Sequence, residues 1–467
     1  MSDIRQTIGI SFRDLELGIF WKVRVAFIEV MQETLKVLDG IVYELRDQSR
    51  YVVKDVRKGT IATLLGDVEY CRRYYFDKKT AGYVYLLDEA LGVGRGRISP
   101  GLAVVAAIQA VIGPSYRAAR DGLKQIYGHQ VVSHETIRQL ILRVGEFLEK
   151  EEASKREEPN GKRRVPVLFV EADGYWVSMQ REKDREVRMM VSHEGWRPRT
   201  PGSDEYELVN KLHYLEADMQ GKDFWDNASR HLYSVYDIDE KTLVVINGDR
   251  AKWIRRGVEY FPNAIYQVDR YHLKRELRDL LRDTRHLEKG LAAVDGGNVQ
   301  ELTEVLRKVR GEVQDPVRVA KINDLLAAIR EMPEAFRDYR VRLTEMGYDT
   351  RGMRGMGATE SNVNKFSLRL KKRGQSWSPE GLKAMIHSMV KYFEDKLDRY
   401  AEHVSRLHNL LSEEKAAQTT KEVVSKVTSE IYEAKRGGMP LLNVGTSRSG
   451  GLSKALRRIA LPDPAIT

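Results

Sequence analysis

The sequence predicts an α/β protein, in which a core of strands and helices is interrupted by an all-helical insertion and preceded by a mostly helical region. Three observations predict it. Between Val165 and Val268 short apolar runs of strand length alternate with amphipathic segments of helix length. From Leu273 to about Tyr348 the periodicity is helical, without a strand signal. Ahead of Lys150 it is helical too, apart from one cluster of β-branched and aromatic residues.

The elements follow in order. Phe20, Val23, Phe27, Val30, Leu35, Leu38, Val42 and Leu45 recur at helical spacing, as one long amphipathic helix or two shorter ones. Thr60 to Leu87 reads as a small β-element with its turn at Asp77-Lys78-Lys79-Thr80. Ser99-Pro100 opens a helix to about Val111, because serine caps free amides and proline suits the first helical position. A helix from Ser115 to Tyr127, a turn at Gly128 and a helix capped by Ser133 through Val144 have the pattern of a helix-turn-helix. A plain helical hairpin has the same pattern. Lys150 to Arg164, densely charged and holding Pro159 and Gly161, reads as a linker.

Strands are predicted over Val165–Met179, Glu186–His193 and Lys211–Ala217, then a helix over Lys222–Tyr236, a buried strand over Thr242–Asn247, a helix over Ala251–Phe261 and a strand over Ala264–Val268. Three strands followed by alternating helix and strand is the order of an RNase H-like core. A Gly-rich loop, RGMRGMGATE, leads to a helix from Thr359, and Ser378-Pro379-Glu380 starts one running to about Leu410. The domains predicted are an N-terminal helical region (1–59), the β-element with the helix-turn-helix (60–149), the linker (150–164), the first part of the core (165–277), the helical insertion (278–354), the last part of the core (355–410) and a polar, Gly-rich flexible tail (411–467).

The 467 residues carry 78 Lys+Arg against 68 Asp+Glu, a net charge of +10. That surplus is compatible with a polyanionic partner and equally with a solvated basic surface. The single cysteine, Cys71, excludes an intrachain disulfide and a cysteine-rich zinc cluster, which suits a reducing compartment. The N-terminus lacks a secretory pattern, and the most apolar stretch, Leu102 to Ile112, is too short to cross a bilayer. A soluble, cytoplasmic protein without membrane contact is expected.

Two acids stand where acids are costly. Asp173, in FVEADGYW, ends an apolar run, and Asp249, in VVINGDRAKW, follows another. Open α/β sheets place ligands beyond the carboxyl ends of strands, where neighbouring strands would bring the two aspartates together. Glu360 starts the helix TESNVNKFSLRLKKR, with Asn364 one turn on. Three such carboxylates raise one another's pKa unless divalent cations neutralise them, and two Mg²⁺ ions, or Mn²⁺, would suit hard oxygen ligands in phosphoryl transfer. Each acid also has a structural alternative: Asp249 as a helix cap, Glu360 as a partner of the helix dipole. Asp269 and His272, in VDRYHL, are either a polar pair at the site's edge or a hydrogen-bonded structural pair.

Basic residues follow each acid: Arg250, Lys252, Arg255 and Arg256; Arg270, Lys274, Arg275 and Arg278; Arg369, Lys371, Lys372 and Arg373. They can neutralise DNA phosphates or simply solvate helix faces. Tyr175, Trp176, Trp253 and Trp377 can stack on a base, although at least half of them are expected in the core.

FVEADGYWVSMQ, VINGDRAKWIRRGVEYFPNAIYQVDRYHLKREL and GATESNVNKFSLRLKKRG resemble the catalytic blocks of ISLre-type insertion-sequence transposases, relatives of the Mutator-like DDE enzymes. TLLGDVEYCRRYYFDK, LLDEALGV, RISPGL and SYRAARDGL resemble the same family, so the likeness runs from about Thr60 to Leu397. The resemblance implies an RNase H fold, Asp173, Asp249 and Glu360 as catalytic and metal-binding acids, and Asp269 and His272 as an auxiliary element. Glu345 is the other candidate for the third acid but lacks the following Ser-Asn context. The implied activity is binding of double-stranded element ends, Mg²⁺-dependent strand cleavage and transfer of the 3′-hydroxyl to target DNA. Ser133 to Arg143 would be the recognition helix, and a homodimer or larger assembly would hold two ends. A structure-specific nuclease and a non-catalytic DNA-binding regulator are the alternatives.

Overall fold

In the computed structural model the chain is described over residues 11–93, 98–157, 159–217 and 221–405. The flexible tail expected from residue 411 lies outside them. The described residues divide into two compact units, one of those up to Leu140 together with those from Asp398 on, the other Ile141–Leu397.

In the first unit, helix α1 (Phe12–Leu45) is a single 34-residue element, capped by a reciprocal Ser11–Asp14 box. Leu35 and Leu38 pack with Ile61, Val68 and Tyr70 of an antiparallel sheet. The sheet comprises β1 (Tyr51–Thr63), β2 (Gly66–Asp77) and β3 (Gly82–Val84). β1 thus starts nine residues before the expected boundary at Thr60. Its first half, with exposed Lys54, Asp55, Arg57 and Lys58, shows no apolar alternation, and backbone pairing to β2 holds it. After α2 (Leu86–Ala90), α3 (Pro100–Ile112) is capped by Ser99 as the sequence predicts, and α4 (Tyr116–Tyr127) is capped by Ser115. Gly128 ends α4 at φ 75, a conformation that favours glycine.

Helix α5 (His134–Glu157) has 24 residues and corrects the linker expected from Lys150: the chain stays helical to Glu157. Glu146–Lys150 and Glu151–Lys155, at 2.8 and 2.6 Å, are i,i+4 pairs of good helix formers, while Glu152 turns inward to meet Lys391 at 2.8 Å. The dense charge therefore belongs to a helix with one solvated and one packed face.

The second unit is built on a five-stranded mixed sheet, ordered β10-β9-β4-β5-β8. Its strands are β4 (Val167–Val177), β5 (Arg185–His193), β8 (Leu212–Ala217), β9 (Leu243–Gly248) and β10 (Ala264–Val268). β4, β9 and β10 run parallel, while β5 and β8 alternate as an antiparallel extension. A small hairpin that the sequence did not announce, β6 (Trp196–Pro198) and β7 (Tyr206–Leu208), follows β5.

On one face, Leu168, Val170, Ala172, Val244 and Ile246 pack against Phe224 and Trp225 of α6 (Gly221–Tyr233). On the other, Val167, Phe169, Leu243 and Val245 pack against Tyr339 and Leu343. The segment expected as one helix over Ala251–Phe261 is a short α7 (Lys252–Arg255) continued as a 3-10 turn to Tyr260. Helix α8 (Arg270–Leu280) follows β10. Five helices then form the insertion: α9 (Leu287–Gly296), α10 (Val299–Glu312), α11 (Pro316–Glu331), α12 (Pro333–Phe336) and α13 (Tyr339–Glu345). A core of Leu302, Leu306, Ile322 and Leu325 joins Leu273 and Leu277 of α8. Helix α14 (Ala358–Leu370) returns to the sheet, and α15 (Pro379–Phe393) and α16 (Leu397–Ser405) follow. No helix among the described residues is long and apolar enough to cross a membrane.

Candidate active site

Parallel pairing ends with Ala172 of β4 beside Gly248 of β9. Asp173, still within β4 and paired there with Met189 of β5, is the next residue on one strand, and Asp249, just past the end of β9, the next on the other. Gly248 is needed there: a Cβ would stand 2.8 Å from the Ala172 carbonyl oxygen and 2.7 Å from Ile254 Cγ2. The Tyr266 hydroxyl donates to the carbonyls of Gly248 and Asp249, and the Asp249 carboxylate accepts the Ala251 amide at 2.9 Å. One oxygen of Asp249 therefore shapes the turn before α7, but it does not cap that helix, whose N-cap is Ala251 without a side-chain hydrogen bond.

Burial pushes the Asp173 carboxyl up to about 6, and the charges of Asp249 and Asp269 add to it; the Gly174 amide and His272 oppose it. Asp269 caps α8, accepting the His272 amide at 2.9 Å, and takes Asn247 Nδ2 at 2.9 Å. Burial disfavours its charge, but hydrogen bonds and charge from His272, with Asn247, hold its carboxyl below the ordinary value. His272 Nδ1 lies 3.5 Å from Asp269. The Asp269 carboxylate, against partial burial and with help from Asp173 and Asp249, pushes the imidazole up to about 9. Asp269 thus serves as a helix cap, and His272 lies beside it among the charges acting on Asp173.

Glu360 sits in the first turn of α14 and is exposed. It is not among the main charges acting on Asp173, and among the described residues no three His, Cys, Asp or Glu side chains are grouped as a metal site. The helix carrying it is nonetheless tied to the sheet. Gly357 precedes α14 without a side-chain cap, and Glu171, two residues before Asp173 on the same face of β4, accepts the Ala358 and Thr359 amides at 3.1 and 3.2 Å and the Thr359 hydroxyl at 2.8 Å. Farther along, Asn362 meets His213 of β8 at 3.0 Å.

Glu171, Asn247 and Thr359 escaped the sequence reading. The available signal was a second acid, in register with Asp173, inside an apolar strand.

The basic residues divide. Arg250 forks onto Glu276 at 2.6 and 2.9 Å, Arg270 meets Asp338 at 3.1 Å, Lys274 pairs with Asp295, and Arg369 is buried over the Trp377 ring. These four are engaged inside the protein. Lys252, Arg275, Lys371, Lys372 and Arg373 are exposed, with Lys372 donating to Asn364. Of the aromatics, Tyr175 and Trp377 are buried, Trp253 packs under Arg188, and Trp176 is exposed. On α5, Glu135 holds both Arg138 and Gln139, so the first two turns of the expected recognition helix present a side-chain cluster that binds itself.

The fold has a distant likeness to a Drosophila P element transposase strand transfer complex, at 10% identity and a TM-score of 0.24, covering 78% of this chain and 92% of that one. Sequence relatives lie closer. The protein TTE2489 of Caldanaerobacter subterraneus subsp. tengcongensis is 26% identical over 365 residues, covering 78% of this chain and 74% of its own. Another from that organism, whose name joins eleven locus designations, is 28% identical over 367 residues, covering 78% and 73%. A Streptococcus gallolyticus protein, named for its place in the vanSb 3′ region, is 27% identical over 338 residues, covering 71% of each chain. All three bear the name UPF0236, and the model of that uncharacterised protein family matches residues 5–407. The chain belongs to the uncharacterised protein family UPF0236.

Proposed function

We infer that the chain is a DDE-type DNA transposase of the insertion-sequence kind that its sequence blocks resemble. One observation carries this reading: Asp173 and Asp249 each follow the last paired residues, Ala172 and Gly248, of two adjacent parallel strands, with Asp173 buried enough that its carboxyl rises to about 6. The sheet order supports it too, since three antiparallel strands with two parallel strands added beside the first is the RNase H-like arrangement. Fold alone does not give an activity. A relative named for eleven loci in one organism fits a gene that multiplies as a mobile element and favours transposition over a structure-specific nuclease.

The donor set fits a hard divalent cation. Asp173 and Asp249 offer oxygens only, and their mutual repulsion is what a cation relieves. Glu360 is assigned as the third acid, on a helix whose first turn is fixed to β4 two residues from Asp173. Bound Mg²⁺, or Mn²⁺, supplies activation of the attacking oxygen and charge relief at the leaving one. His272, whose imidazole the neighbouring Asp269 pushes up to about 9, is assigned to orient a phosphate entering beside the aspartates. Exposed Lys252, Arg275, Lys371, Lys372 and Arg373 are the cations assigned to the DNA backbone.

The test mixes purified protein and Mg²⁺ with DNA bearing the terminal repeats that flank the gene, and resolves strand-transfer products on a gel. Products are expected with the wild type and not with Asp173→Asn or Asp249→Asn. Transfer that persists in either variant sinks the mechanism, and cleavage without joining favours the nuclease.

A further inference from the structure

Helix α14 begins without a cap of its own, because Gly357 has no side chain with which to accept its amides. The acceptor comes from a different element. Glu171 is fully buried in the central strand, and around its carboxylate stand the Ala358 and Thr359 amides, the Thr359 hydroxyl, Asn247 Nδ2 at 3.5 Å and His193 Nε2 at 3.5 Å. Neither Lys nor Arg is among these contacts; the positive end of the helix faces the charge instead. The same Asn247 reaches Asp269, and Asp269 caps α8, where His272 sits. A buried polar chain thus runs from the first turn of α14 through β4 and β9 to the start of α8.

A helix start needs only a local Ser, Thr, Asp or Asn. Using a carboxylate from the strand that also carries Asp173 does something a local cap does not: it fixes the height of Glu360 against that strand. We propose that Glu171 is the positioning residue of the site, holding the first turn of α14 so that Glu360 is presented to Asp173 and Asp249, with Thr359 as its partner on the helix. The catalytic meaning of this anchor rests on the transposase reading, whereas the anchoring itself does not.

Glu171→Gln keeps the shape of the side chain but turns one acceptor into a donor facing N–H groups. Thr359→Val removes one donor, and Thr359→Ser keeps it. Hydrogen exchange reads the anchor directly. The Ala358 and Thr359 amides should exchange about tenfold faster in Glu171→Gln and Thr359→Val, and at the wild-type rate in Thr359→Ser. Unchanged exchange in a folded variant, checked by near-ultraviolet dichroism, overturns the anchor. Thr359→Val serves if Glu171→Gln does not fold.

Mn²⁺ alone, titrated by electron paramagnetic resonance, reads the positioning. Glu360→Gln should weaken binding about tenfold in the wild type but no more than about twofold beside Glu171→Gln or Thr359→Val, because an unanchored Glu360 no longer contributes. Effects that multiply show a purely structural cap and overturn the positioning role. Mn²⁺ binding indifferent to Asp173→Asn overturns the transposase reading, and with it the positioning role, while exchange still reports the anchor.

Discussion

Replacing Asp173 by Asn should make the metal-free protein more stable at neutral pH. In the folded chain this carboxyl rises from its ordinary 3.8 to about 6, chiefly by burial and further by Asp249 and Asp269. Below about pH 4 it is protonated in both folded and unfolded chains and contributes nothing. Between about 4 and 6 the unfolded chain ionises first, so stability falls as pH rises, and above 6 the whole penalty is present. The interval corresponds to about 3 kcal/mol, an upper bound because the site borders solvent. Asparagine keeps the oxygen that accepts the Gly174 amide and discards the charge. Urea denaturation followed by tryptophan fluorescence, in a chelator, should therefore show Asp173→Asn ahead by about 1–3 kcal/mol at pH 8 and level with the wild type near pH 4. Added Mg²⁺ should narrow the difference by stabilising the wild type alone. A variant no more stable at pH 8, or equally favoured at both pH values, refutes the view that this acid is held at a cost.

Two further tests bear on the same site. The His272 imidazole should titrate near pH 9 by nuclear magnetic resonance and lower in Asp173→Asn; because its folded value is raised, its contribution to stability should be full below its ordinary 6.5 and lost as pH passes 9, so a midpoint near 6.5 contradicts the ion pair. Gly248→Ala should cost about 1–3 kcal/mol in thermal or urea melts, since its methyl would meet the Ala172 carbonyl between the two aspartates, and an unchanged melt would show that β4 and β9 are not held so close.

Much of the sheet was legible because its strands are buried. The runs at Val167–Ala172 and Leu243–Gly248 are apolar enough that an acid at each end stands out. Charge misled at α5, where Lys150–Glu157 resembles a linker in composition but pairs at helical spacing. It misled again among the basic residues: nothing local distinguishes Arg250, which ends on Glu276 in the next helix but one, from exposed Lys252 two positions on. Such pairs join elements distant in sequence and become visible only once the fold is formed. Glu171 belongs to the same class. Its hydrogen-bond partners Asn247 and Thr359 lie 76 and 188 residues away, so FVEADG shows an extra acid without showing what it holds.

In β4 the alternation of side chains assigns neighbouring residues to different duties. Leu168, Val170 and Ala172 belong to the core around Trp225, while Phe169, Glu171 and Asp173 lead step by step from the opposite core to the polar chain and the site. A one-residue deletion here would be no local injury. Every side chain beyond it would exchange faces, driving Glu171 or Asp173 toward the Trp225 core and delivering Ala172 to the site in its place. This strand has its reading frame fixed twice, once by what it buries and once by what it presents.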